Sequence, residues 1–189
     1  MLGLALAGAQ GAQAADYQVR PGGANKVVFT SKAPTETFEG KTNKMEGVLT
    51  LDPGTVGDSI RVHLEVDLAS LDTGIGKRNQ LMRKDHLECD KYPKAIFDGA
   101  TVLTPGKIES GKTTTFEIEG TFTIHGVSRR LRCKADAGLT KEGAADAINF
   151  TASFPVSLPD YSIRRPEFLF LKLAEVQQVT VSGVASSAP

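Results

Sequence analysis

Three histidines and two cysteines are the side chains of this chain best suited to metal binding or covalent chemistry. His63, His86 and His125 are scattered along the sequence, and no short-spaced Cys/His cluster has the spacing of a zinc site. There is no Gly-x-Ser-x-Gly elbow, and neither Cys89 nor Cys133 is flanked by the signature of a cysteine nucleophile. Carboxylates are numerous, but they fall on polar strand faces, where solvation accounts for them. No catalytic residue, metal or cofactor is therefore assigned. The one side chain suited to polar recognition is Arg78. A guanidinium can hold an anionic head group such as a diphosphate through two parallel hydrogen bonds. It can equally form a salt bridge, here with Asp72 or Asp85. Asp72 and Thr73 read as capping groups rather than ligand contacts.

The elements around Arg78 are mostly strands. In residues 60–68 the apolar positions are Ile60, Val62, Leu64, Val66 and Leu68, with Arg61, His63, Glu65 and Asp67 between them. Neighbouring side chains on a strand point to opposite faces, so this strand has one dry and one wet face. The same period recurs at Phe116/Ile118/Phe122/Ile124, at Val127/Leu131/Cys133/Ala135 and at Ile148/Phe150/Ala152/Phe154/Val156/Leu158. A shorter version is Met45/Leu49/Leu51. Further strands are expected at 17–19, 26–32, 37–39, 95–103, 168–173 and 178–184. One stretch, 75–88, reads as a helix, with Ile75, Met82, His86 and Cys89 on one stripe and Thr73 able to cap its start. Pro93 ends it. The polar, Gly/Ala-rich stretch 138–147 reads as a loop, and the small residues after Val184 as a frayed tail. One-sided antiparallel strands must bury their dry faces together, in a sandwich or a closed barrel. Hairpin-local connections favour an up-and-down barrel with the helix at one end, and an apolar interior can hold one apolar ligand.

At 189 residues the chain suits one domain. Its 22 basic residues balance 22 acidic ones, so nothing suggests a nucleic-acid binder. The runs Arg129-Arg130 and Arg164-Arg165 read as solvated rim. Leu2 to Ala9 is apolar, and Ala12-Gln13-Ala14 precedes Ala15-Asp16. This resembles the end of a secretory signal cut after Ala14, although no Lys or Arg precedes the apolar run. The expected layout is residues 1–14 as signal, 15–185 as one barrel domain and 186–189 as tail. No later stretch reaches the length needed to span a bilayer as a helix. Cys89 and Cys133 permit one disulfide in an oxidising compartment. Equally, both remain thiols, with Cys133 in the core.

The order of motifs adds to this. Ser70-Leu71-Asp72-Thr73-Gly74, Arg78-Asn79, Met82-Arg83, Leu87-Glu88, Asp90-Lys91-Tyr92-Pro93 and Phe97 resemble the central motif of the YceI-like family. So do Gly120-Thr121-Phe122-Thr123-Ile124-His125-Gly126-Val127 and Asp160-Tyr161-Ser162-Ile163-Arg164-Arg165-Pro166. The resemblance covers roughly residues 16–184. It implies an all-β, lipocalin-like antiparallel barrel of about eight strands with a short helix near its mouth. It also implies export to the periplasm or beyond, and binding of a polyisoprenoid, quinone or other long apolar molecule. Asn79 stands where many relatives have Asp, and the cysteines lie outside the family motif. On this reading Phe29, Phe38, Leu64, Leu68, Met82, Phe97, Phe116, Phe122, Phe150 and Phe154 line the tunnel, and Arg78 meets the head group. The expected role is an exported carrier, not an enzyme. Two alternatives stand beside it. One is an enzyme acting on such a lipid through Arg78, Asp72 or His86. The other is a ligand-free stress or interaction protein with a filled core. A homodimer is a family-level expectation.

Overall fold

The computed structural model describes residues 14–32, 36–57, 60–143, 145–168 and 171–187. The strands are β1 (Ala15–Val19), β2 (Lys26–Lys32), β3 (Thr37–Thr42), β4 (Met45–Leu51), β5 (Arg61–Asp67), β6 (Lys94–Val102), β7 (Thr114–Ile124), β8 (Val127–Glu142), β9 (Ala145–Ser157), β10 (Glu167–Phe168), β11 (Leu171–Lys172) and β12 (Val176–Ser187). The order β1-β4-β5-β6-β7-β8-β9-β12 closes on itself through a β12–β1 pairing, giving an eight-stranded antiparallel barrel. Closure leaves this ring without a free edge. The β2–β3 hairpin extends the wall at one end, where β2 pairs with β12 and Lys41 of β3 bridges to Asp72.

β1 and β2 run along the same strand, β12, and residues 20–25 interrupt them. Asn25 repairs the gap: its Oδ1 accepts from Val184 N at 3.0 Å and its Nδ2 donates to Arg20 O at 2.5 Å. A backbone group that loses its ladder partner here finds a side chain instead.

Four expectations are corrected. The 138–147 stretch is not a loop. β8 and β9 run through it, with Thr140 opposite Ala147 and Glu142 opposite Ala145, and the chain turns at Gly143 with φ 65°. Paired backbone and a Lys141–Asp146 contact at 2.7 Å override the loop-like composition. Segment 168–173 is not one strand but part of the two-residue β10–β11 pairing, off the barrel. The tail is not frayed as far as Ser187, because Ser186 and Ser187 pair with Gln18 and Tyr17 and close the ring. Residues 1–13 of the expected signal lie outside the described residues.

The fourth correction concerns the helix. It begins as α1 (Gly76–Leu81) and widens into a π-turn (Met82–His86), in which Leu87 N donates to Met82 O at 2.8 Å. The wider turn breaks the 3.6-residue stripe. Met82 packs on the core, but Ile75 is 50% exposed and Cys89 lies beyond the helix. Ile75 precedes α1 without a side-chain cap. Thr73 instead bonds to Asn79: its N and Oγ1 donate to Asn79 Oδ1 at 2.8 and 2.7 Å, while Asn79 Nδ2 donates to Asp72 Oδ1 at 2.6 Å.

The buried core forms two clusters. At the end away from the helix, Tyr17, Leu51, Val102, Phe116 and Ile148 pack with Val56 and Ile108, two residues brought by crossing loops. Val56 and Gly106 exchange both backbone bonds at 2.9 Å, so this end has a closed floor. At the helix end, Leu68, Leu71, Leu87, Phe122, Phe154, Leu158, Tyr161 and Ile163 pack together with both cysteines. Cys89 and Cys133 are buried there as free thiols, each pushed up by burial.

Candidate functional site

Between the floor and mouth clusters runs a belt of inward-facing side chains that touch both: Val66, Phe97, Ile118, Val179 and Val181. Strand alternation turns them to the barrel axis. They are only partly buried, as are their inward neighbours Leu64, Phe150, Ala152 and Phe29. In a solid core the middle would be the driest layer. Here both ends are dry and the middle retains accessible surface.

Glycines account for the arrangement. A Cβ on Gly40 would overlap the Phe29 ring alone; one on Gly120 would meet the Gly99 carbonyl oxygen and the Phe97 ring, and one on Gly183 would meet Asn25 Oδ1, Met45 Cε and the Phe150 ring. Gly40 lies opposite Phe29, and Gly183 opposite Phe150, in register. Each ring therefore lies over a bare stretch of its neighbour strand and hugs the wall instead of projecting across the axis.

The sequence-derived lining residues separate into groups. Phe29, Phe97, Phe150 and Leu64 belong to the half-buried wall. Phe116 is 3% exposed and builds the floor. Leu68, Phe122 and Phe154 are sealed into the mouth cluster, where Phe122 meets Phe154 and Tyr161 edge-to-face at 5.4 and 5.5 Å. Met82 packs half-buried against that cluster. Phe38 meets Phe29 edge-on at 6.3 Å, and the Arg78 guanidinium lies 3.8 Å from the centre of the Phe38 ring. Arg78 does not pair with Asp72 or Asp85. Its Nη1 donates to Glu36 Oε1 at 2.9 Å and its Nε to Thr73 Oγ1 at 3.2 Å. The stack Arg78–Phe38–Phe29 thus leads from the helix to the wall. Beside it opens a groove of about 810 Å³, lined among others by Lys26, Phe38, Lys41, Asp72 and Thr73.

The groups proposed for an enzyme are occupied in structural bonds. Asp72 takes bonds from Asn79 and Gly74, which hold its carboxyl below the usual range. His86 Nδ1 faces Arg164 O at 2.9 Å, and burial lowers its pKa. His125 bridges Glu88 Oε2 at 2.9 Å and Tyr161 O at 3.1 Å, with the Tyr92 ring 4.7 Å away. Lys91 and then His125 hold the Glu88 carboxyl down. This bridge fastens the chain after the π-turn to the β7–β8 turn and to the 3-10 turn at Pro159–Tyr161.

Sequence reading set Val66 and Ile118 on dry strand faces without naming them as lining residues, and it missed Val179 and Val181 in the wall and Glu36 as the partner of Arg78. The alternation in Val179-Thr180-Val181 was a usable signal, and so were the glycines at inward positions. Glu36 had none, because it meets Arg78 only through the hairpin.

This is a lipocalin-like barrel with a closed floor, an apolar half-open belt and a helix across its mouth. Residues 17–185 match the YceI-like domain, and the chain belongs to that family. A UPF0312 protein of Vibrio parahaemolyticus is 30% identical over 168 residues, covering 86% of this chain and 85% of the relative. Among solved structures, Burkholderia cenocepacia BcnA has a TM-score of 0.68 at 22% identity, covering 85% of this chain and 96% of that one. A polyisoprenoid-binding domain from Saccharophagus degradans, implicated in plant cell wall breakdown, has a TM-score of 0.69 at 18% identity, covering 93% and 100%.

Proposed function

We propose that this protein binds one long apolar molecule, of polyisoprenoid, quinone or similar lipid type, along the axis of the barrel. The observation that carries the reading is the half-buried apolar belt between two dry clusters, with Phe29, Phe97 and Phe150 laid flat on glycines. Each CH₂ of a bound chain that leaves water for such a wall gains about 0.8 kcal/mol. The floor directs entry to the helix end. There Arg78 exchanges Glu36 for the ligand's polar head group while keeping its seat on Phe38. The Saccharophagus degradans neighbour, described as polyisoprenoid-binding, supports the same ligand class. The role is carriage or sequestration and requires no chemistry. The apolar run before Ala12-Gln13-Ala14 supports export, which places the carrier in the periplasm or outside the cell.

The test is native mass spectrometry of the protein purified from its own host, followed by organic extraction and lipid analysis. The expected result is one prenyl or acyl lipid per barrel. A barrel that neither carries lipid nor takes up added polyprenyl lipid contradicts the reading.

A further inference from the structure

Among the described residues, three buried side-chain polar atoms have no hydrogen-bond partner: Ser31 Oγ, Gln177 Oε1 and Arg83 Nε. All belong to the helix end of the barrel, and two are neighbours. β2 and β12 pair as far as Thr30 opposite Gln178, and Ser31 and Gln177 are the next residues beyond that last pair. Both take inward positions, Ser31 after Val27 and Phe29 on β2, and Gln177 before Val179 and Val181 on β12. Ser31 is 1% exposed and Gln177 8%. On their other sides they face Phe38 and Val156. The pairs Phe38–Ser31 and Gln177–Val156 thus lie one step nearer the mouth than the row Gly40–Phe29–Val179–Phe154.

Unpaired buried oxygens are costly and uncommon, and each calls for an explanation. Gln177 Nε2 donates to Ala174 O at 2.6 Å, which fixes the amide and leaves Oε1 as a free acceptor. A serine hydroxyl turns about one bond and supplies a donor. We propose that Ser31 and Gln177 form a polar subsite in the apolar wall that recognises a terminal hydroxyl on the bound chain. One alcohol or phenol group satisfies both: its oxygen accepts from Ser31 Oγ and its O–H donates to Gln177 Oε1. A keto oxygen satisfies Ser31 alone, and a hydrocarbon neither. Each oxygen exposes almost no surface, so a hydroxyl that enters with the chain reaches it only as the Ser31 and Gln177 side chains turn toward the axis. Arg78, stacked on Phe38 opposite Ser31, stands beside the subsite and favours an electron-rich head group. The subsite rests on the reading that an apolar chain occupies the barrel, and it adds the chemistry of that chain's end.

The experiment compares the affinity of the protein for geranylgeraniol and for the matching isoprenoid hydrocarbon without the hydroxyl. In a purely apolar cavity the alcohol binds more weakly, since it gives up hydrogen bonds to water. With the subsite the order reverses, and the alcohol binds about tenfold tighter. In the Ser31→Ala/Gln177→Leu variant the preference disappears while hydrocarbon affinity holds. Equal or weaker alcohol binding by the wild type, or a preference that survives the double substitution, overturns the subsite but leaves the barrel reading in place. Binding of neither probe overturns both. If the variant does not fold, the wild-type comparison alone decides.

Discussion

Ala152→Phe tests whether the barrel is hollow. Ala152 is half-buried and inward-facing on β9, between Phe150 and Phe154, and its cross-strand neighbours are Ala135 and Val181. The substitution adds a benzene ring to the belt. In a filled core, overpacking costs about 1–3 kcal/mol. For a chain of this size each kcal/mol moves Tm by about 2–4 °C, so Tm would fall by roughly 2–12 °C. In an open belt the ring has room along the axis and buries its own surface, worth up to about 2 kcal/mol. Tm then stays level or rises by a few degrees, while affinity for a polyprenyl probe falls at least tenfold. Phe122→Ala is the matched control in the mouth cluster, where Phe122 is 7% exposed and packed against two rings. It leaves a cavity and costs about 3–5 kcal/mol, or roughly 6–20 °C. The assay is thermal unfolding by circular dichroism on delipidated protein, together with probe binding. A large loss of Tm in Ala152→Phe with unchanged probe binding refutes the open-belt argument.

Three further outcomes follow from particular contacts. Cys89 and Cys133 are buried, free and held in the thiol form. A thiol reagent should therefore titrate two groups only after unfolding, and rapid reaction of the native protein would contradict their placement. Asn79→Ala removes the acceptor for two Thr73 donors and a donor to Asp72. It should cost about 1–3 kcal/mol by urea unfolding; a loss under about 0.5 kcal/mol, the scale of an ordinary surface substitution, would show that the loop does not depend on it. Burial lowers the pKa of His86, so the unfolded chain binds a proton more readily than the folded one. Its contribution is present above the ordinary histidine pKa of about 6.5 and is lost as pH falls below it. The urea midpoint should drop from pH 7.5 to 5.5, and His86→Asn should flatten the slope; an identical slope in both proteins counts against the assignment.

The wall of the barrel was legible because period-two alternation is a local signal. Residues 60–68 and 148–158 showed which side chains turn inward before any pairing was known. The ends were less legible. Composition marked 138–147 as a loop, yet its backbone groups pair across β8 and β9, and pairing outweighs the small residues. The stripe Ile75/Met82/His86/Cys89 assumed a uniform 3.6-residue helix, and the π-turn at Met82–His86 rotates everything after it. Arg78 was recognisable as the polar group of the mouth, but Glu36 was not recognisable as its partner.

Whether the barrel is filled or open could not be read from phenylalanine positions, because inward-facing rings serve both outcomes. What distinguishes them is the glycine across the strand. Gly40, Gly120 and Gly183 each sit where a strand loses stability and packing by having no side chain. In a filled barrel the same glycines would let the rings pack closely but would keep no space clear along the axis. A wall that must stay thin gains a seat for a ring on every one of them. Burial separates Phe29, Phe97 and Phe150, half-buried over those inward glycines, from Phe116, Phe122 and Phe154, which are packed and dry even though Phe116 also lies against a glycine, Gly106. If the glycines exist to keep the axis clear, Gly40→Ala, whose added Cβ would overlap only the Phe29 ring, should push that ring off the wall and weaken binding of a polyprenyl probe more than it lowers Tm. If they are only backbone accommodations, stability falls and affinity for the probe stays where it was.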